Sequence, residues 1–211
     1  MLSNIYLHEV LDTWFEETIK PLLKGRAFLV RYADDFVMGF EHEEDARRVY
    51  AVLAKRFAKY ELTIHPEKTR LIPFFPPEAG KGEPATFDFV GFTHYWGVSR
   101  KGRPLVQRKT VSKRFTRAVT RVREYCRRTA SRPTREQWQG LCAKLRGHYG
   151  YYGITGNLRA LRRFRLEVKR IWKDRLQRRT GRGYLSWAAF EVKLARWPLP
   201  LPRVVRSVYA Q

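Results

Sequence analysis

Apolar residues recur at helical spacing along much of this chain, interrupted by a few short, dense apolar runs. Ile5, Val10, Leu11, Trp14 and Phe15 follow a period near 3.6 and predict a helix from Ser3, which can cap it, to about Ile19. Ala46, Val49, Tyr50, Leu53 and Phe57 predict a second helix ending near Tyr60. It opens on Glu43-Glu44-Asp45, where acid complements the helix dipole. Between the two helices lie Phe28-Leu29-Val30 and Phe36-Val37-Met38, short and rich in aromatic and branched residues. They read as two strands joined by a tight turn at Tyr32-Ala33-Asp34-Asp35. Leu62-Thr63-Ile64-His65 reads as a further short strand.

The run from Pro73 to Pro84, rich in proline and glycine, is a loop or insertion. Phe87 to Phe92 reads as a strand, followed by a hairpin: Tyr95-Trp96-Gly97-Val98, a turn at Arg100-Lys101-Gly102-Arg103, and Leu105-Val106-Gln107. From Thr110 onward the pattern is helical. One helix runs from about Val111 to Thr129, with Phe115, Val119, Val122 and Cys126 on one face. Thr134-Arg135-Glu136-Gln137 has the spacing of a capping box and opens a helix through about Arg146. Asn157 caps a third, running to about Arg179 with Leu158, Leu161, Phe164, Val168, Ile171 and Trp172 as its stripe. A short helix from Ser186 to Arg196 precedes the alternation Trp197-Pro198-Leu199-Pro200-Leu201-Pro202.

Charge divides the chain where the proline-rich run does. Residues 1–80 carry 11 Lys/Arg against 13 Asp/Glu, whereas residues 81–211 carry 32 against 7, a net +25. Such an excess on folded helices needs a polyanion to offset its self-repulsion, and nucleic acid is the natural counterion. A membrane surface suits it less, because no amphipathic stretch pairs its Lys/Arg with an uninterrupted apolar face. No run approaches the roughly 18 apolar residues of a membrane span, and the N-terminus lacks a basic-then-apolar signal. A soluble, cytoplasmic protein is expected. Cys126 and Cys142 stand 16 apart with no Cys-X-X-Cys, spacing that argues against zinc and against a disulfide framework.

Candidate chemistry centres on Asp34 and Asp35. Asp is favoured in turns, so the pair reads equally as plain turn residues and as hard oxygen ligands for Mg²⁺. The flanking runs are apolar enough to be buried on both faces, which would set the pair at the rim of a packed sheet. The Tyr149, Tyr151 and Tyr152 cluster beside Arg146 and His148 suits base stacking and phosphate contact, or equally packing at a helix junction.

Tyr32-Ala33-Asp34-Asp35 between two hydrophobic strands resembles the signature hairpin of reverse transcriptases, with Ala in second place as in the retron and group II intron branch. The resemblance extends in order along the chain. Leu2 to His8 is similar to the helix after the Pro-Gln-Gly loop, and Pro66-Glu67-Lys68-Thr69-Arg70 to a segment near nucleotide or template. The Phe-X-Gly-Phe core at Phe89 to Phe92 resembles the primer-gripping element. Leu145-Arg146-Gly147-His148-Tyr149, Tyr151-Tyr152-Gly153, Asn157 and the proline-rich ending resemble the maturase, or thumb, domain of group II intron proteins.

The resemblance implies an α+β chain. Residues 1–80 would be part of a palm, an antiparallel sheet with packed helices; 81–107 a grip-like strand and hairpin; 108–211 a basic helical maturase domain. It implies Asp34 and Asp35 as catalytic and metal-binding in a two-Mg²⁺ mechanism. Tyr32, Ala33, Lys68, Gly91 and Phe92 would contact nucleotide or primer. RNA would meet Arg114, Arg117, Arg121, Arg146, His148, Tyr149, Tyr151, Tyr152, Arg159, Arg162, Arg163, Lys169 and Arg170. The implied partners are intron RNA and an RNA template with a DNA primer.

The family's fingers, its Pro-Gln-Gly loop and the palm strand bearing its other metal-binding Asp have no counterpart here, and the match would continue to the left of Met1. Asp45, at a helix start, and Asp88, in a strand without acidic neighbours, do not supply the missing ligand. The expectation is a truncated reverse transcriptase/maturase, inactive alone unless an upstream polypeptide complements it. The alternatives are a stand-alone RNA-binding splicing factor and a decayed gene fragment.

Overall fold

The first helix forms where Val10, Leu11, Trp14 and Phe15 predict it, but most of it is wound more widely than an α-helix. In the computed structural model, which describes residues 2–77, 85–99, 101–180 and 184–207, α1 (Leu2–Leu7) continues as π-helix over His8–Ile19. The backbone N–H of Lys20 accordingly reaches five residues back to the carbonyl of Phe15, before a 3-10 turn at Lys20–Leu22. Ser3 lies inside α1 and does not cap it. Met1, residues 78–84 of the proline-rich run and Arg100 in the predicted turn lie outside the described residues.

β1 (Ala27–Tyr32) and β2 (Asp35–Phe40) pair antiparallel, in register from Ala27 with Phe40 to Tyr32 with Asp35. α2 (Glu43–Lys59) follows, with Val49, Leu53 and Phe57 buried one turn apart. Leu29, Phe36 and Met38 pack on a core of Val10, Leu11, Trp14, Leu53 and Phe57. The hairpin is therefore buried on one face and not on both as its composition suggests. Phe28, Val30 and Tyr32 on the other face are 57, 48 and 63% exposed. The Phe28 ring covers Gly39, where a Cβ would fall 2.2 Å from it. Tyr50 also leaves the predicted stripe of α2, and its hydroxyl donates to the carbonyl of Thr69 (3.2 Å). Leu62 to His65 is irregular and not a strand: Leu62 and Ile64 reach the core as side chains, without ladder pairing.

β3 (Phe87–Phe89), β4 (Phe92–Val98) and β5 (Pro104–Thr110) follow, with β4 and β5 adjacent in the sheet. The strand expected from Phe87 to Phe92 is broken at Val90 (φ 47°) and Gly91 (φ 79°). Two consecutive residues at positive φ make the tight turn that right-handed strand twist favours. Contacts divide the chain into two compact units, Met1–Val90 with Val98–Leu105 and Gly91–Gly97 with Val106–Gln211.

The core of the second unit is helical: α3 (Ser112–Arg128), α4 (Thr134–Tyr152), α5 (Leu158–Thr180) and α6 (Trp187–Arg196). Val122, Leu141, Leu145, Leu161, Phe164, Trp172 and Phe190 are each at most 2% exposed. The capping box at Thr134 does not form, because α4 starts one residue earlier, behind Pro133. Gln137 turns inward instead: its amide donates to the carbonyls of Thr129 and Arg132 (both 3.0 Å) and accepts from the Trp172 indole (3.2 Å). α4 also runs on past Arg146 through the glycine-tyrosine cluster to Tyr152.

Asn157 does not cap α5 with its side chain. Its Oδ1 accepts from the Thr110 N–H (3.0 Å), and its Nδ2 donates to Thr110 Oγ1 and to the carbonyl of Tyr152 (both 2.9 Å). The segment after α6 forms a strap across α4 and α5. Leu199 is buried, while the carbonyls of Pro198 and Pro200 accept from the Trp138 indole (2.9 Å), Tyr149 Oη (3.3 Å) and Arg165 Nε (3.2 Å). Farther on, the N–H groups of Val205 and Arg206 donate to the carbonyl of Gly153. Among the described residues no helix is long and apolar enough to cross a membrane.

Candidate metal centre and nucleic-acid interface

Asp34 and Asp35 sit at the tip of the β1–β2 hairpin, both exposed. Tyr32 pairs with Asp35, so the turn itself is only Ala33-Asp34. Ala33 takes φ 56°, the left-handed region that an L-residue with a Cβ adopts at a cost. The pair presents hard oxygen donors suited to part of a Mg²⁺ shell, with the remaining positions left for phosphate and water. Among the described residues no group of three or more His, Cys, Asp or Glu is placed to hold a metal, so the fit is to a partial site.

Behind the tip stands a network that the sequence did not reveal. Arg31 points inward, and its guanidinium grips Asp12 with Nε to Oδ1 at 2.8 Å and Nη2 to Oδ2 at 2.6 Å. Its Nη1 donates to the carbonyl of Ala33 at 2.9 Å. This hydrogen-bonded guanidinium holds the Asp12 carboxyl below the usual range, against burial, which pushes it up. Lys68 is exposed in a turn closed by its own N–H to the carbonyl of His65 (3.1 Å).

Gly91 and Phe92 belong to the second unit, where they meet the tyrosines of α4. The Phe92 ring stacks on Tyr151 (6.0 Å, 7°) and stands edge-on to Tyr152 (5.4 Å). A Cβ at position 91 would lie 3.3 Å from the Tyr152 hydroxyl, and the positive φ there suits glycine. The aromatic series continues inward, with His148 against Tyr152 (4.6 Å) and stacked on Phe164 (3.9 Å).

Two of the cluster's rings thus serve the core. Tyr149 is 3% exposed, and burial pushes its hydroxyl up to about 12. His148 has a buried Nε2 without a hydrogen-bond partner among the described residues, and burial lowers its pKa to about 4. Tyr151, 48% exposed, keeps a face toward solvent.

His148 has a consequence for stability. The unfolded chain takes up its proton near pH 6.5, whereas the folded chain does so only near 4. Between those values the unfolded state binds more protons, so stability falls as pH drops through this window, by at most about 3 kcal/mol. Urea unfolding at pH 7 and pH 4.5 should show this loss, and His148→Phe should remove most of it.

The basic residues fall into two groups. On α3, Arg114, Arg117 and Arg121 are exposed, with no ion pair to an acidic side chain among the described residues. Burial raises the pKa of Tyr152, and the nearby Arg114 and Arg117 oppose that rise, which places both arginines beside the aromatic cluster. Arg146, Arg159 and Arg162 are exposed as well, and Arg163 lies over the Phe115 ring (4.9 Å). Lys169 and Arg170, by contrast, are engaged by Glu191 and Glu167. Two cations that the sequence did not single out are structural. Arg165 holds the strap, and Lys173, 4% exposed, lies against the rings of Tyr184 and Trp187 (4.9 and 5.3 Å).

Residues 1–94 match the family model described as reverse transcriptase (RNA-dependent DNA polymerase). No curated protein matches the chain. The matched span contains the Asp34-Asp35 hairpin, the Arg31 network, Lys68, and Gly91 with Phe92.

Proposed function

We propose that this chain carries the metal-binding hairpin of a group II intron-encoded reverse transcriptase, followed by a maturase-type unit that binds intron RNA. The observation that carries the proposal is the exposed Asp34-Asp35 pair at the tip of a tight hairpin, inside the span that matches the reverse transcriptase model. In the proposed role, Asp34 and Asp35 hold Mg²⁺, whose chemistry is to activate a primer hydroxyl and to offset charge on the departing pyrophosphate. The chain's own contribution is to present two carboxylates at a fixed turn and to bind the nucleic acid. Tyr32 and Ala33 flank the nucleotide side, Lys68 faces template phosphate, and Phe92 with Tyr151 offers an aromatic surface near the primer. Among the described residues two carboxylates are too few for a two-metal site, so copying needs a further carboxylate besides Asp34 and Asp35.

Primer extension on an RNA template with Mg²⁺ tests this. The chain alone is expected to give background synthesis. A reverse transcriptase fragment supplying fingers and the further carboxylate should restore it, and Asp34→Ala or Asp35→Ala should abolish the restored activity. Restored synthesis that survives both substitutions would refute the assignment of the pair.

A second reading, an RNA-binding splicing factor that needs no polymerisation, draws on the second unit having a core of its own around Trp172 and Phe164. Splicing assistance that is insensitive to Asp34→Ala would favour it.

A further inference from the structure

Arg31 is the one charged residue on the inward face of β1, where Ala27 and Leu29 are its apolar companions. Its side chain is 14% exposed, and that of Asp12 is 24% exposed. The fork-to-carboxylate geometry uses both Asp12 oxygens and leaves Nη1 aimed at the carbonyl of Ala33. Asn4 closes the other side, its Oδ1 and carbonyl each 3.4 Å from the guanidinium. One planar group therefore ties the first helix to the turn residue that stands in the left-handed region.

We infer that Asp12 and Arg31 form a positioning clamp that holds Ala33 in its left-handed conformation and thereby sets the direction in which Asp34 and Asp35 present their carboxylates. Asp12 is not itself a ligand, since both its oxygens are engaged by Arg31, with His8 Nδ1 also 3.2 Å from Oδ2. Alanine visits this region rarely without support, and the hydrogen bond to its carbonyl supplies that support. The effect of the clamp on a bound metal rests on the proposed role of Asp34 and Asp35; its effect on the turn does not.

The test uses NMR on the full chain. Arg31→Lys keeps the charge and loses the fork, while Asp12→Asn keeps the shape and loses the charge. Both are expected to move the Ala33 carbon shifts and its amide–Hα coupling away from left-handed values, with the Val49 and Leu53 methyl signals reporting that the first unit remains folded. Mn²⁺ broadening of the Asp34 and Asp35 amide signals should then need roughly tenfold more metal, the size of effect produced by losing a group that orients a metal's direct ligands. Glycine at position 33 favours the same conformation without help, so in an Ala33→Gly background Arg31→Lys should cost about twofold or less. That rescue separates positioning from general stabilisation.

Unchanged Ala33 signals in both variants would overturn the clamp, as would an equal metal penalty with and without Ala33→Gly. Wild-type chain that shows no Mn²⁺ broadening at Asp34 or Asp35 would instead defeat the metal assignment, while the Ala33 signals would still decide the clamp.

Discussion

RNA binding by the full chain is expected to weaken about 10³-fold or more between roughly 50 and 200 mM salt, the response of a protein that neutralises six or more phosphates. Residues 81–211 hold the charge for it, with 32 Lys/Arg against 7 Asp/Glu. The structure indicates which of these cations are available. Arg114, Arg117 and Arg121 lie exposed along α3, whereas Lys169 and Arg170 already face glutamates and Arg165 binds the strap. Replacing the three α3 arginines with glutamine should lower the slope of log affinity against log salt by about three, near one per phosphate contact. The pair Lys169→Gln and Arg170→Gln should change it by about one or less. Filter binding at a series of salt concentrations decides between them. A slope untouched by the triple variant would move the phosphate contacts off α3.

Asn157→Ala is expected to destabilise the chain by about 3 kcal/mol, because it strands three polar groups in a buried place at roughly 1 kcal/mol or more each. Asn157 is 1% exposed, and its side chain joins Thr110, at the end of β5, to the last turn of α4. Asn157→Asp should do no better near neutral pH. It keeps the acceptor for the Thr110 N–H but loses both donor bonds and buries a charge, and part of the loss should return as pH falls and the carboxyl protonates. Denaturant unfolding would show a lower midpoint with an unchanged slope for Asn157→Ala. A midpoint shift worth less than about 1 kcal/mol would mean that water or a shifted Thr110 satisfies the orphaned groups.

Helices whose apolar residues recur at three and four were legible in the sequence. α2, α3 and α5 lie close to where Val49-Leu53-Phe57, Val119-Val122-Cys126 and Leu161-Phe164-Val168 put them. The late end of α4 was missed because Gly147 and Gly150 read as punctuation, although Tyr149 stands four residues beyond Leu145 and continues the same stripe. Local pattern misled at Leu62 to His65, since alternation cannot supply a neighbouring strand. It also misled at the hairpin, where the exposure of Phe28, Val30 and Tyr32 depends on how many layers the sheet has. At the site, Asp34 and Asp35 were visible as adjacent acids, but the Arg31 network was not. In the sequence nothing marks Arg31 apart from its neighbours, and its meaning appears only once Ala27 and Leu29 are seen to share its face. Lys173 was hidden for a similar reason: beside buried Trp172, a lysine reads as the solvated flank of the helix.

Amide hydrogen exchange reports the proline-alternating part of the strap poorly, since between Pro198 and Pro202 only Leu199 and Leu201 carry an N–H. Pro198, Pro200 and Pro202 have no N–H to exchange, and Pro198 and Pro200 are tied down through their carbonyls. Its release would instead register on its donors, above all the indole proton of Trp138, which sits 2.9 Å from the Pro198 carbonyl and would exchange as the strap lifts. Protection of that one side-chain proton, compared with the amides of α4 around it, reports how often Leu199 leaves the core while the helices beneath stay formed.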